Sequence, residues 1–182
     1  MEISKTKLRD CIVIKPDVYS DNRGCFFEAY KEDLYKKRCG IKEKFVQDNM
    51  SQSEKNVLRG LHFQKNNPQG KLVTVTSGVV FDVAVDLRPN SKTYGMYESL
   101  ILSNENKLQF YIPPGFAHGF FVLSDYASFF YKCTNYYDSS DEGGIIWNDK
   151  SLNINWPVSN PILSKKDLSL ESFSQFTDRE CD

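Results

Sequence analysis

From Lys71 to Thr134 the chain is cut into short alternating segments separated by turn formers, and this limits what it can fold into more than any other feature. Leu72-Val73-Thr74-Val75, Val79 to Leu87, Met96 to Leu102, Leu108 to Ile112, Phe116 to Leu123 and Ala127 to Thr134 each read as a strand. They are separated by Thr76-Ser77-Gly78, Pro89-Asn90-Ser91, Ser103 to Asn106, Pro113-Pro114-Gly115 and a short polar turn. In the segment from Val79, Val79, Phe81, Val83, Val85 and Leu87 share one face and Val80, Asp82, Ala84, Asp86 and Arg88 the other. The apolar face is expected to pack on a partner sheet, with Asp82 and Asp86 facing a polar cavity or, more commonly, water.

The first half adds further strands and one helix. Asp10 to Pro16 and Cys25 to Tyr30 read as strands around the turn Asp21-Asn22-Arg23-Gly24, the second placing Phe26, Glu28 and Tyr30 on one face. Lys31 to Arg38 predicts a helix, acidic in its first turn, basic in its last and ended by Gly40. The polar row Gln47-Asp48-Asn49, with Ser51, Ser53 and Asn56 behind it, reads as a turn or loop, although amides in a row also suit the edge of a heterocycle. A short strand near Ile145-Ile146-Trp147 and a brief helix after Ser164 complete the pattern, which predicts an all-β sandwich or barrel.

At 182 residues, with 40% hydrophobic content, the chain suits one domain with its own core. A net charge of -1, from 23 basic and 24 acidic residues, offers no field for nucleic acid or an anionic membrane. No apolar leader and no run near the ~18 residues of a membrane span are seen, so a cytoplasmic protein is expected. Cys11, Cys25, Cys39, Cys133 and Cys181 are scattered without a CxxC pair, as free thiols would be.

Chemistry concentrates between Val57 and Lys71, where Leu58, Leu61 and Phe63 are interleaved with Arg59, His62 and Gln64. Polar groups in a buried strand need polar company, and a cavity supplies it. His62 is the candidate base because imidazole changes charge near neutrality. Arg59 and His62 fall on opposite faces of a regular strand, so sharing one cavity requires a break in the pleat, predicted at Gly60. His62 and His118 on two strands also suggest a metal, but Gln64 stands where a second histidine of such a motif is needed. No nucleophile elbow or phosphate loop is present.

Arg23-Gly, Phe45-Val-Gln-Asp-Asn, Val57-Leu-Arg-Gly-Leu-His-Phe-Gln, Gln69-Gly-Lys-Leu-Val, Phe81-Asp-Val-Ala-Val-Asp-Leu-Arg, Ile112-Pro-Pro-Gly-Phe-Ala-His-Gly-Phe and Tyr131-Lys-Cys-Thr-Asn-Tyr-Tyr occur in order. This series, from about Leu8 to Asp167, strongly resembles the dTDP-4-dehydrorhamnose 3,5-epimerases. The resemblance implies a cupin-type jelly roll over one domain (1–182, core about 25–157, C-terminal segment 158–182), a homodimer, no metal and no organic cofactor. It implies inversion of C3 and C5 of dTDP-4-dehydro-6-deoxy-glucose, in dTDP-L-rhamnose biosynthesis. Relatives that invert only C3, or act on other nucleotide-linked keto sugars, and a sugar-nucleotide-binding cupin without catalysis, are the alternatives.

By resemblance, His62 is the base, Tyr131 the acid, Lys71 the cation at the enolate oxygen, and Asp167 the carboxylate that orients His62. Ser164-x-x-Asp167 is also a helix-capping pattern. Arg23 and Arg59 are expected at the diphosphate, Glu28, Gln47 and Asn49 at thymidine with Tyr137 stacked on the base, and Phe26, His118, Glu142 and Lys166 at further ligand contacts.

Overall fold

The computed structural model describes residues 1–180, so Cys181 lies outside the described residues. Thirteen strands are seen in chain order. They are β1 (Glu2–Lys5), β2 (Ile12–Lys15), β3 (Tyr19–Asp21), β4 (Gly24–Phe26), β5 (Gln47–Glu54), β6 (Leu58–Gln64) and β7 (Lys71–Ser77). Then come β8 (Val79–Asp86), β9 (Tyr97–Ser103), β10 (Gln109–Ile112), β11 (Phe116–Val122), β12 (Tyr126–Cys133) and β13 (Glu142–Gly144). A six-stranded sheet runs β1-β2-β10-β7-β12-β5 and a five-stranded sheet β13-β6-β11-β8-β9, while β3 and β4 form a separate hairpin. The result is the two-sheet β-sandwich that the alternating segments predict.

The sheets face each other across Val73, Val75, Phe110 and Phe129 from one side and Val80, Ala84, Leu102 and Phe120 from the other. The face of β8 that carries Val80 and Ala84 therefore points inward, and Asp82 and Asp86 go with it, both fully buried. Solvent exposure of these two carboxylates is not what the fold gives them. Asp82 accepts from His118, and Asp86 accepts from Arg88, Ser91 and Thr93. Burial tends to raise the Asp86 carboxyl, but those donors bring it down to about 2. The apolar face, with Val83, Val85 and Leu87, packs against Ile145, Leu152 and Trp156 and against Phe176 of the C-terminal segment, and not against the partner sheet. That segment is tied on by the parallel bridges Val57–Ile162 and Ile145–Glu171.

The outer face of the six-stranded sheet is covered by Tyr35 and Ile41, set against Ile14, Leu72 and Tyr111. Tyr35 belongs to the predicted helix, which is α1 (Glu32–Leu34) running into a π-helical turn over Tyr35–Cys39 and stopped by Gly40 at φ 73°. The hydroxyl of Tyr35 donates to Gln109, which pins the turn.

Three local expectations are corrected. Gln47 to Glu54 is the regular edge strand β5 and not a loop, because its whole length pairs with β12. The strand from Cys25 stops at Phe26, so Glu28 and Tyr30 lie beyond it. The strand expected at Ile145-Ile146-Trp147 is Glu142–Gly144, three residues earlier. The segment after Ser164 holds a single 3-10 turn at Asp167–Ser169 and then α2 (Phe173–Glu180). Among the described residues no helix is long and apolar enough to cross a membrane. Cys11 and Cys133 are buried, Cys39 half-buried and Cys25 exposed, and all four are free thiols.

Candidate active site

Between the ends of the two sheets lies a cavity of about 200 Å³ lined by Gln47, Asn49, His62, Phe63, Gln64, Gln69, Lys71, Tyr131, Tyr137 and Glu142. That is room for a pyranose ring.

The wall that carries His62 depends on the irregularity predicted at Gly60. Opposite β11, His62 pairs with His118 and Arg59 with Phe120, so three steps on β6 face two on β11. The extra residue is a bulge. It lets Leu58, Leu61 and Phe63 share the outer apolar core while His62 turns to the cavity; Arg59 is exposed and, against expectation, does not line that cavity. Arg59 Nε donates to Ser53 Oγ of the facing sheet at 3.0 Å. Gly60 has φ +117°, and a Cβ there would lie 2.6 Å from Gly119 Cα and 2.7 Å from the His118 carbonyl oxygen. Only glycine fits both the angle and the approach.

His62 Nε2 is 2.5 Å from Asp167 Oδ1, and the Asp167 side chain is almost wholly buried. Ser164 Oγ donates to Asp167 Oδ2 at 2.8 Å and accepts from the Asp167 backbone N–H at 3.0 Å. Both readings of Ser164-x-x-Asp167 thus hold at once: the serine caps the turn, and the same turn delivers the carboxylate to the histidine. Burial pushes the Asp167 carboxyl up, and the bonds from His62 and Ser164 outweigh it, leaving it below the ordinary range. An ionised carboxylate on Nε2 keeps the proton there and leaves Nδ1 free on the cavity side. Nδ1 is 3.9 Å from Glu142 Oε1. Glu142 Oε2 accepts from the Tyr137 hydroxyl at 2.6 Å and from the Lys166 ammonium. Burial raises Glu142, but Lys166, Tyr137 and His62 together bring it below its usual range.

Tyr131 comes from β12 in the other sheet, so it meets the cavity from the side opposite His62. Burial raises its pKa, so the phenol holds its proton. Asn49, its register partner on β5, donates to Cys133 Sγ at 3.6 Å and accepts from Gln47 Nε2 at 2.9 Å. Gln47 Oε1 in turn accepts from the Tyr137 backbone N–H at 2.8 Å. Lys71 opens β7 beside Cys133 and is half-buried, and desolvation lowers its pKa although Cys133, Asp82 and Glu142 favour the charged form. Among the described residues no carboxylate oxygen stands within 4 Å of its ammonium, which leaves its donors to the cavity.

Other expected ligand residues lie elsewhere. His118 is buried but does not line the cavity. Its Nε2 is 2.9 Å from Asp82 Oδ2, its ring stacks on Phe129, and burial lowers its pKa against the pull of Asp82. Arg23, paired with Asp21, has a side chain 86% exposed on the β3–β4 hairpin. Phe26 and Glu28 are exposed beside it, the latter near Lys31. None of these three lines the cavity of its own chain. Gln69 and Phe63 as wall residues, and Asp82 as the partner of His118, are not evident from the sequence. The parity of β8, which sets Asp82 with Val80 and Ala84, was the available signal for the last. Among the described residues no group of three His, Cys, Asp or Glu side chains is placed to hold a metal.

The family model of dTDP-4-dehydrorhamnose 3,5-epimerase matches residues 5–175. The dTDP-4-dehydrorhamnose 3,5-epimerase of Salmonella typhimurium is 52% identical over 177 residues, 96% of this chain and 97% of that protein. That of Pseudomonas aeruginosa is 48% identical over 100% of this chain and 99% of its own length. Among solved structures, the Legionella pneumophila dTDP-6-deoxy-D-glucose-3,5-epimerase in complex with dTDP-4-keto-L-rhamnose superposes with a TM-score of 0.92 at 48% identity, covering 95% of this chain and 93% of the other. Sandwich topology, cavity and near full-length identity agree, and the chain belongs to the dTDP-4-dehydrorhamnose 3,5-epimerase family.

Proposed function

We propose that this chain, as one domain, inverts C3 and C5 of dTDP-4-dehydro-6-deoxy-glucose to give dTDP-4-dehydro-L-rhamnose in dTDP-L-rhamnose biosynthesis. The observation that carries the reading is the placement of an Asp167-backed His62 and a protonated Tyr131 on opposite sheets of one ring-sized cavity, with Lys71 at its wall. Both carbons flank the C4 ketone. His62 Nδ1 removes a proton from one face, the electrons pass to the C4 oxygen as an enolate, and Lys71 offsets the charge there. Tyr131 then protonates the carbon from the other face, which inverts it.

The cavity takes the sugar, so the nucleotide runs outward past Tyr137, which is half-exposed at its mouth. In this scheme Arg59, exposed outside the cavity, takes the diphosphate, a role that suits the two-pronged guanidinium, while Gln47 and Asn49 take the wall beside the base, with Lys166 at the rim. Arg23, Phe26 and Glu28 reach a ligand in this scheme from the hairpin of a second protomer. The exposure of Tyr19 (65%) and Phe26 (66%) on that hairpin supports the homodimer. His118 acts by holding the β6–β11 register behind His62.

Incubation of the keto sugar with the protein in deuterated water tests the reading by NMR. Deuterium is expected at both C3 and C5. Label at C3 alone would make it a mono-epimerase, and no label at either carbon would remove the epimerase assignment.

A further inference from the structure

Inverting two carbons in one visit leaves protons in the wrong places. Each inversion breaks a C–H bond, forms Nδ1–H on His62, makes a new C–H bond from Tyr131 and leaves a phenolate. The second inversion cannot start until His62 has lost that proton and Tyr131 has regained one. A sugar ring that fills about 200 Å³ also covers the cavity side of His62, whose side chain is 28% exposed along that wall. The proton needs another way out.

On the Nε2 side there is none, because Asp167 is 3% exposed and its second oxygen is held by Ser164. Lys71 is a cation and accepts nothing. On the Nδ1 side stands Glu142, with Oε1 3.9 Å away, a gap that a small side-chain movement or one water closes. Its other oxygen holds the Tyr137 hydroxyl and the Lys166 ammonium. Tyr137 is 51% exposed and the Lys166 side chain 51%. One carboxylate thus spans the base and the solvent edge.

We infer that Glu142 is the proton outlet of the site, taking the proton from His62 Nδ1 while the sugar is bound and releasing it to water at the Tyr137–Lys166 edge. Nδ1–H breaks and Oε1–H forms, and the proton then leaves to water while the Tyr131 phenolate takes one from water. The charge is unchanged and the two carbon-bound protons are replaced by solvent protons. The inference rests on His62 as base and Tyr131 as acid.

Glu142→Gln keeps an oxygen for Tyr137 and Lys166 but cannot carry the proton. With saturating keto sugar in deuterated water and early quenching, the first label is expected at close to the wild-type rate. The second is expected to slow by about a hundredfold, the low end of what a positioned proton-transfer group contributes. Singly labelled sugar then accumulates, added imidazole restores the second label, and Glu142→Asp retains most of it. Both labels slowing together, an unchanged ratio with only KM raised, or no response to imidazole would overturn the outlet. Absence of label with the wild-type protein would instead overturn the epimerase reading.

Discussion

Replacing Asp167 separates two consequences of one hydrogen bond, and the structure predicts that the conservative change is the worse. The Asp167 carboxylate accepts from His62 Nε2 at 2.5 Å and from Ser164 Oγ at 2.8 Å. Ser164 Oγ already accepts from the Asp167 backbone N–H, so its own proton points at Oδ2. In Asp167→Asn that proton requires the amide oxygen at the Oδ2 position, which sets the amide NH2 against His62 Nε2. Nε2 must then accept, the ring proton moves to Nδ1, and the neutral base faces the substrate with its lone pair blocked. A wrong tautomer behind a catalytic histidine costs ~10⁴ in rate. Asp167→Ala loses only the charge-assisted bond to the developing imidazolium, about 1.5–3 kcal/mol. At 1.36 kcal/mol per tenfold that is a loss of about 10- to 150-fold. Deuterium wash-in at saturating substrate measures both, with thermal melts as a control for folding. Asp167→Asn faster than Asp167→Ala, or both close to wild type, would refute this role for Asp167.

Gly60→Ala should destabilise the fold and misplace the base, since the new Cβ meets backbone at 2.6 Å and φ is +117°. A strained position of this kind costs about 2 kcal/mol, a fall in Tm of roughly 4–8 °C for a chain of this size, readable by calorimetry. Asp86, fully buried and brought from 3.8 to about 2, stabilises the folded state above its unfolded value. That contribution, about 2 kcal/mol at 1.36 kcal/mol per unit, disappears as pH falls from about 4 towards 2. Urea melts of Asp86→Asn against wild type should therefore show a gap at pH 7 that narrows in that window, and a gap constant with pH would count against it.

How far the chain could be read before its structure depended on whether the partners were local. The bulge at Gly60 was visible because Arg59 and His62 fall on opposite faces of an unbroken strand, and the glycine that could break it lay between them. The Ser164-x-x-Asp167 turn was visible as a cap for the same reason. The burial of Asp82 and Asp86 was not, because the two-residue period assigns faces without saying which face is inside. Here Ile145, Leu152, Trp156 and Phe176 bury the apolar face and leave the mixed face inward. Gln47 and Asn49 read as a turn because their composition is polar, and only pairing with β12, more than 80 residues later, makes them a strand. The roles of Tyr131, Lys71, Glu142 and Lys166 came from resemblance, since nothing near them in the chain states that they meet His62. Arg23, Phe26 and Glu28 are on a hairpin that its own chain leaves outside the cavity, so no reading of one chain could have placed them in it.

The central claim is that two groups on opposite sheets divide the proton work, and Tyr131→Phe tests it directly. In deuterated water, His62 should still remove a proton and, after exchange, return deuterium to the same face. The account predicts recovered substrate that carries deuterium with unchanged configuration and no inverted product. Inverted product formed by Tyr131→Phe at a rate near wild type would contradict it.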